Sequence, residues 1–188
     1  FKKNIDLESN TITKLLYFLR EKNFLKEKAF KINVKKNIPH GSGLGGGSAN
    51  AAALINFFIT KSYLNIKRQE MIKIAYKIGS DVPIALEKQN AILTGKGRQI
   101  LRINNRFNFY ILIVYPNIIC STREIFLKNK KFSKNKNLLK YVTQKKKVLI
   151  HSLMNENNDL EEAAIKLYPK IGNLIKFIHN KEGCCFSR

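Results

Sequence analysis

Between Pro39 and Ala52 the chain reads Pro-His-Gly-Ser-Gly-Leu-Gly-Gly-Gly-Ser-Ala-Asn-Ala-Ala, and no other stretch constrains the fold so tightly. Half of the 10 glycines fall at positions 41, 43, 45, 46 and 47. A glycine inside a regular element costs roughly 0.5–1 kcal/mol relative to alanine, so the run predicts a loop. From Ser48 to Phe58 the residues read as helix. A glycine loop that feeds a helix amino terminus presents backbone N–H groups and the positive end of the helix dipole, which suits phosphate.

Around this loop the hydrophobic periodicity predicts alternating helices and strands. Ile12, Leu15, Leu16, Phe18 and Leu19 form a helical stripe, with Asn10 placed to cap it. Phe30, Ile32 and Val34 alternate with Lys31, Asn33 and Lys35, the pattern of a half-buried strand over 29–36. After the loop, Ala51, Ala52, Leu54, Ile55, Phe58 and Ile59 make a broad apolar face, and the small residues at its start allow close approach by a backbone or a ligand. A helix over 67–77 ends at Gly79, a helix-terminating C′ position. Residues 90–94 and 99–103 predict a strand pair around Gly95-Lys96-Gly97, a hairpin turn. Residues 107–115, with the apolar run Phe109 to Tyr115, predict a buried strand stopped by Pro116. Residues 127–147 are rich in Lys and Asn and read as a solvated loop with a short helix. Residues 159–180 read as helix interrupted or restarted at Pro169. The composition shift over 116–122 marks a domain boundary.

The formal net charge is +22 in 188 residues. Of the 35 basic residues 28 are Lys. They are spread along the chain, whereas base readout and phosphate forks favour Arg. Together with abundant Ile and Asn, this reads as compositional bias and argues against a nucleic-acid partner. The positive field would still attract an anionic small molecule. No apolar run reaches the ~18–20 residues of a membrane span. The three cysteines, Cys120, Cys184 and Cys185, have neither the number nor the spacing of a disulfide framework or zinc site, which fits a reducing cytoplasm. A first residue Phe1 in place of Met, and an end at Arg188 just after Glu182-Gly183, lead to the expectation of an internal fragment.

Three familiar phosphate loops fail against this one. Gly41-x-Gly43-x-x-Gly46 formally matches the dinucleotide fingerprint, but the region where its acidic residue belongs is helical and basic, with Glu70 inside a helix. A Walker A loop ends in Gly-Lys-Ser/Thr, whereas this loop continues Gly47-Ser48-Ala49. A protein-kinase glycine loop joins two strands, whereas this one leads into a helix.

A fourth pattern fits. Pro39-x-Gly41-x-Gly43-Leu44-Gly45-Gly46-Gly47-Ser48-x-Asn50-Ala51-Ala52 resembles the second motif of the GHMP kinases, a superfamily of small-molecule kinases. The triple glycine before Ser48-Ala49-Asn50, with Gly79-Ser80-Asp81-Val82-Pro83 further on, resembles the 4-diphosphocytidyl-2-C-methyl-D-erythritol kinase family within it. Agreement continues through Ala91-Ile92-Leu93-Thr94-Gly95-Lys96-Gly97, Ile100-Leu101, Tyr115-Pro116, Ser121-Thr122-Arg123-Glu124-Ile125-Phe126, Asn158-Asp159-Leu160-Glu161 and Pro169. The family's first motif, a strand bearing an active-site lysine, is absent. So is its glycine- and serine-rich third motif, and the expectation is that residues 1–188 alone are inactive.

The resemblance implies an α+β fold: a ribosomal protein S5 domain 2-like N-terminal domain over 1–116, lacking its first strands, and part of a ferredoxin-like C-terminal domain over 117–188. It implies a cytoplasmic enzyme that uses ATP and Mg²⁺ to phosphorylate a cytidine diphosphate-linked methylerythritol in non-mevalonate isoprenoid synthesis. The implied alternatives are another GHMP kinase or a basic nucleic-acid-binding module. Asp81 would be the catalytic base and, with Thr122 orienting it, would meet the acceptor. Gly43, Leu44, Gly45, Gly46, Gly47 and Ser48 would wrap the triphosphate with backbone amides, and Pro39, Gly41, Ser42 and Ala49 would complete the cofactor-binding loop. Lys36, Asn50 and Asn10 would line the nucleotide pocket, Asn10 near the adenine. Two positions carry a second reading: Asn10 as a helix cap, and Ser48 as a helix cap or an oxygen for phosphate or Mg²⁺. No metal-ligand set is otherwise visible. His40 carries no implied role.

Overall fold

A computed structural model of the chain describes residues 10–26, 28–39, 42–94, 99–104, 108–133 and 145–187. The chain divides into two compact units, one holding 44–102 with the residues up to 40, the other holding 103–188 with 41–43.

The first unit is built on helix packing. Helix α1, Thr11–Glu21, is capped by Asn10, whose side-chain oxygen accepts from the N–H groups of Ile12 and Thr13, both at 3.0 Å. Its stripe buries Leu15 and Leu19 as the periodicity predicts, and Leu16 and Phe18 pack beside them. Helix α2, Gly46–Thr60, buries Ala51, Ala52, Ile55 and Phe58. It begins before Ser48, the predicted start, because Gly45 takes the left-handed backbone that launches the helix and draws two glycines into its first turn. Helix α3, Arg68–Ile78, contributes Ile74, Ala75 and Ile78. A single turn, α4, Val82–Ala85, adds Val82, and Leu86 follows it into the same core. Helix α3 ends at Gly79, as expected, with extended backbone there, φ −179°.

Strands β1, Asn90–Thr94, and β2, Gln99–Ile103, pair in a two-stranded sheet, as expected. Their connection is too short for a parallel crossover, so the pair is antiparallel. The turn Gly95-Lys96-Gly97 between them lies outside the described residues. The predicted strand over 29–36 is a correction: these residues form no strand among the described residues. Its first apolar residue is anchored, however: the Phe30 ring lies 4.7 Å from that of Phe58 and 5.4 Å from that of Tyr63.

The second unit is helical among its described residues. Helix α5, Thr122–Lys128, is capped by Ser121, which accepts from the Glu124 N–H at 3.3 Å. Helix α6 spans Lys146–Met154, α7 Glu161–Leu167 and α8 Pro169–His179. Pro169 restarts the helix, as its missing N–H demands. Tyr168, at that joint, accepts from the Ser121 N–H at 3.2 Å and donates to Glu124, tying the joint to α5. The predicted buried strand over 107–115 is a correction: residues 108–116 form no strand, and Ile111 and Leu112 are 78% and 79% exposed. An apolar run becomes a strand only where a neighbouring strand takes its N–H and C=O groups, and the only sheet among the described residues is β1–β2. The fold class is α+β, with the helices dominant.

Candidate phosphate-binding site

The glycine loop and the first turn of α2 form one side of the site. Gly43 and Gly45 have φ of +75° and +67°, a region that residues with a side chain rarely adopt. These angles explain glycine at two of the loop's positions. Gly46 and Gly47 are different, since both are helical. Their N–H groups and that of Ser48 lie in the first turn, where the helix supplies no acceptor. Among the described residues no side chain caps them, and no acidic residue stands in that turn. Asn10 closes the start of α1 by contrast. The amino end of α2 is thus open to an external anion, and the helix dipole favours one there.

Ser48 does not cap the helix; it is half-buried in the first turn, and Asn50, half-buried too, follows just past that turn. Thr11 pins this turn from α1: its hydroxyl donates to the Gly47 carbonyl at 2.7 Å. A Cβ on Gly47 would stand 3.4 Å from the Thr11 Oγ1. The small residues at the head of α2 therefore admit another element closely, as the sequence suggests. Asn10 caps α1, and Thr11 beside it brings that amino end against the first turn of α2.

Asp81 lies on the other element of this unit that matters. It is exposed at the start of α4, and the Ser80 hydroxyl donates to its Oδ1 at 3.2 Å. Its own carbonyl accepts from the Ala85 N–H at 3.2 Å, so Asp81 is built into the turn. The next residue, Val82, is fully buried in the cluster that contains Ala51 and Ala52 of α2. The Asn56 side chain of α2 donates to the Leu86 carbonyl at 2.9 Å. The helix that opens on the glycine loop is therefore also the helix on which the Asp81 turn is seated.

The remaining candidates are not gathered in the same way. Lys36 is exposed and Pro39 half-buried. Ser42 is half-buried, whereas Gly43, Leu44, Gly45 and Ala49 are exposed. Thr122 opens α5 in the second unit and is exposed. Gly41 lies outside the described residues. Among the described residues no three His, Cys, Asp or Glu side chains cluster as a metal site, and no helix is long and apolar enough to cross a membrane. Sequence reasoning missed Thr11, Asn56 and Arg102, which hold the site's backbone. Their only signal is a polar side chain on an otherwise apolar element.

Residues 10–89 match the family described as GHMP kinases N terminal domain. That span holds α1, the glycine loop and the Asp81 turn. Over 189 residues the chain is 40% identical to the 4-diphosphocytidyl-2-C-methyl-D-erythritol kinase of Pelagibacter ubique, covering 100% of this chain and 65% of that protein. It is 34% identical to the enzyme of the same name from Anaplasma phagocytophilum, over 84% of this chain and 52% of that protein. The corresponding Petrotoga mobilis protein is 33% identical over 98% of this chain and 72% of its own length. The chain belongs to the 4-diphosphocytidyl-2-C-methyl-D-erythritol kinase family of GHMP kinases. It spans about half to three quarters of these three relatives. For a family of phosphoryl-transfer enzymes, an uncapped helix start and a carboxylate whose turn is seated on the same helix make an intelligible arrangement. Transfer needs charge stabilisation on the phosphates and an acceptor for one proton.

Proposed function

We propose that the protein containing this chain transfers the γ-phosphoryl group of ATP to the 2-hydroxyl of 4-diphosphocytidyl-2-C-methyl-D-erythritol, a step in non-mevalonate isoprenoid synthesis. The observation that carries the reading is the seating of the Asp81 turn on α2, the helix whose uncapped start is the glycine loop. The substrate hydroxyl oxygen attacks the γ-phosphorus. The bond from that phosphorus to the β–γ bridging oxygen breaks, and ADP leaves. Asp81 takes the hydroxyl proton. Backbone N–H groups of the loop and first turn hold the triphosphate, and Ser48 adds a hydroxyl. ATP arrives with Mg²⁺, a hard cation held chiefly by phosphates and one or two protein oxygens, for which Ser48 and Asp81 are donors of the right chemistry. Lys36, Asn50 and Asn10 line the nucleotide pocket, and Thr122 orients Asp81.

The same reading makes 1–116 an S5-like ATP-binding domain and 117–188 part of a ferredoxin-like domain, in a cytoplasmic enzyme. The test uses the full-length protein. Asp81→Asn keeps ATP binding by calorimetry and loses nearly all turnover in a coupled ADP-release assay. Near-normal turnover removes Asp81 from its role. Tight, salt-sensitive oligonucleotide binding without turnover replaces the kinase reading with a nucleic-acid one.

A further inference from the structure

Helix α4 cannot hold itself in place. It is a single turn of four residues, shorter than any helix stable on its own, and its last carbonyl groups have no acceptor role within the helix. Yet it starts from Asp81. A tilt of α4 moves the Asp81 backbone with it, because the Asp81 carbonyl closes the turn onto the Ala85 N–H.

The side chain of Arg102, on β2, takes up the free end of that turn. Its Nη2 donates to the Pro83 carbonyl at 2.8 Å. Its Nη1 donates to the Ile84 carbonyl at 3.0 Å and to the Gln89 carbonyl at 3.4 Å. Its Nε faces Glu87 Oε2 at 3.4 Å, and the other oxygen of Glu87 bonds to Arg68 at the start of α3. The Arg102 side chain is only 13% exposed. A guanidinium removed from water to that degree needs its donors satisfied, and here one planar fork satisfies them on α4 and on the segment that leaves it. Asn56 takes the Leu86 carbonyl from the α2 side. The Asp81 turn is thus gripped from β2 and from α2, and of these two the β2 grip uses a charge.

We propose that Arg102 is a positioning residue for Asp81: through the carbonyl groups of Pro83 and Ile84 it sets where α4 sits and so where the carboxylate points. This rests on the reading of Asp81 as the base. It requires the fork and not merely a positive charge, since an ammonium group has no planar array of donors to span three carbonyl groups and a carboxylate.

The test is made in the full-length protein with Arg102→Gln and Arg102→Lys, comparing steady-state kinetics with hydrogen exchange. A misplacement of about 1 Å costs on the order of 100-fold in rate, so Arg102→Gln is expected to lower kcat roughly 10- to 100-fold with KM for ATP unchanged. Amides of Val82 and Ala85 should exchange faster, while those of α1 and α7 keep their wild-type rates. Arg102→Lys, which keeps the charge and the stem, should fall between and carries the test if the glutamine variant folds poorly. Unchanged exchange at 82–86 overturns the proposal, and so does faster exchange with wild-type kcat. A joint rise in KM and loss of protection across α1 also overturns it, in favour of general destabilisation. Absence of turnover in the unsubstituted protein refutes the kinase reading and with it the catalytic half of this proposal; the exchange data then decide the grip on α4 by themselves.

Discussion

Gly46 separates a glycine kept for folding from one kept for a ligand. Its backbone is helical and a Cβ built on it meets nothing within 4 Å. Folding therefore gives no reason for glycine there. Alanine in a helix is favoured over glycine by roughly 0.5–1 kcal/mol, and the first turn takes the low end, about 0.5 kcal/mol. For a chain of this size about 1 kcal/mol corresponds to roughly 2–4 °C, so Gly46→Ala should raise Tm by about 1–2 °C. Phosphate is affected the other way. A methyl group at the mouth of α2 keeps an anion from the first-turn N–H groups. Losing one hydrogen bond to a charged group costs about 1.5–3 kcal/mol. ATP affinity should then fall roughly 10- to 100-fold. Differential scanning fluorimetry without nucleotide and calorimetric titration with ATP measure the two effects on one sample. A lower Tm would refute the claim that Gly46 is structurally free. Unchanged ATP affinity would refute the claim that phosphate approaches this turn.

Two further outcomes test the second unit. Gly172 is buried on α8, and a Cβ there would stand 2.8 Å from Ile165 Cγ2 on α7, a methyl on a stiff β-branched side chain. Gly172→Ala should destabilise by about 1–3 kcal/mol, read as a lower urea midpoint with unchanged slope; an unchanged midpoint would show that α7 and α8 do not pack this closely. Burial pushes the Cys120 thiol above its ordinary value of 9.0, so less of it is thiolate at pH 8. Iodoacetamide should modify Cys120 more slowly than the exposed Cys185, with its rate still climbing as pH rises through 9, followed by peptide mass spectrometry; equal rates at pH 8 would remove the burial effect.

Helices were legible here because their signal is internal. The stripes of α1 and α2 repeat at the helix period, Asn10 stands where a cap belongs, and Pro169 marks a restart. Strands were legible only where both partners are close in sequence, as in β1 and β2. The runs over 29–36 and 107–115 carry strand composition, but a strand is completed by a neighbour's hydrogen bonds, which composition does not encode. The start of α2 was misplaced for a related reason. Glycine's propensity argues against helix, whereas the left-handed backbone of Gly45 begins one regardless.

The glycine loop and Asp81 stand out in the sequence as candidates, but what holds them does not. Asp81 is exposed and α4 has one turn, so neither burial nor propensity fixes this residue. Its location depends on Val82 in the core, on Asn56 from α2 and on the Arg102 fork from β2. Each of those residues has an ordinary identity in its own element: a small apolar residue, a polar residue on a helix, a cation on a short strand. Their relation exists only when three elements meet. An exposed carboxylate beside a one-turn helix takes its rigidity from neighbours, and on the proposed reading of Asp81 as the base those neighbours position it. At the loop, Thr11 fixes the Gly47 carbonyl in the turn that the proposed phosphate site uses. In both places the order comes from side chains of other elements that donate to backbone carbonyl groups.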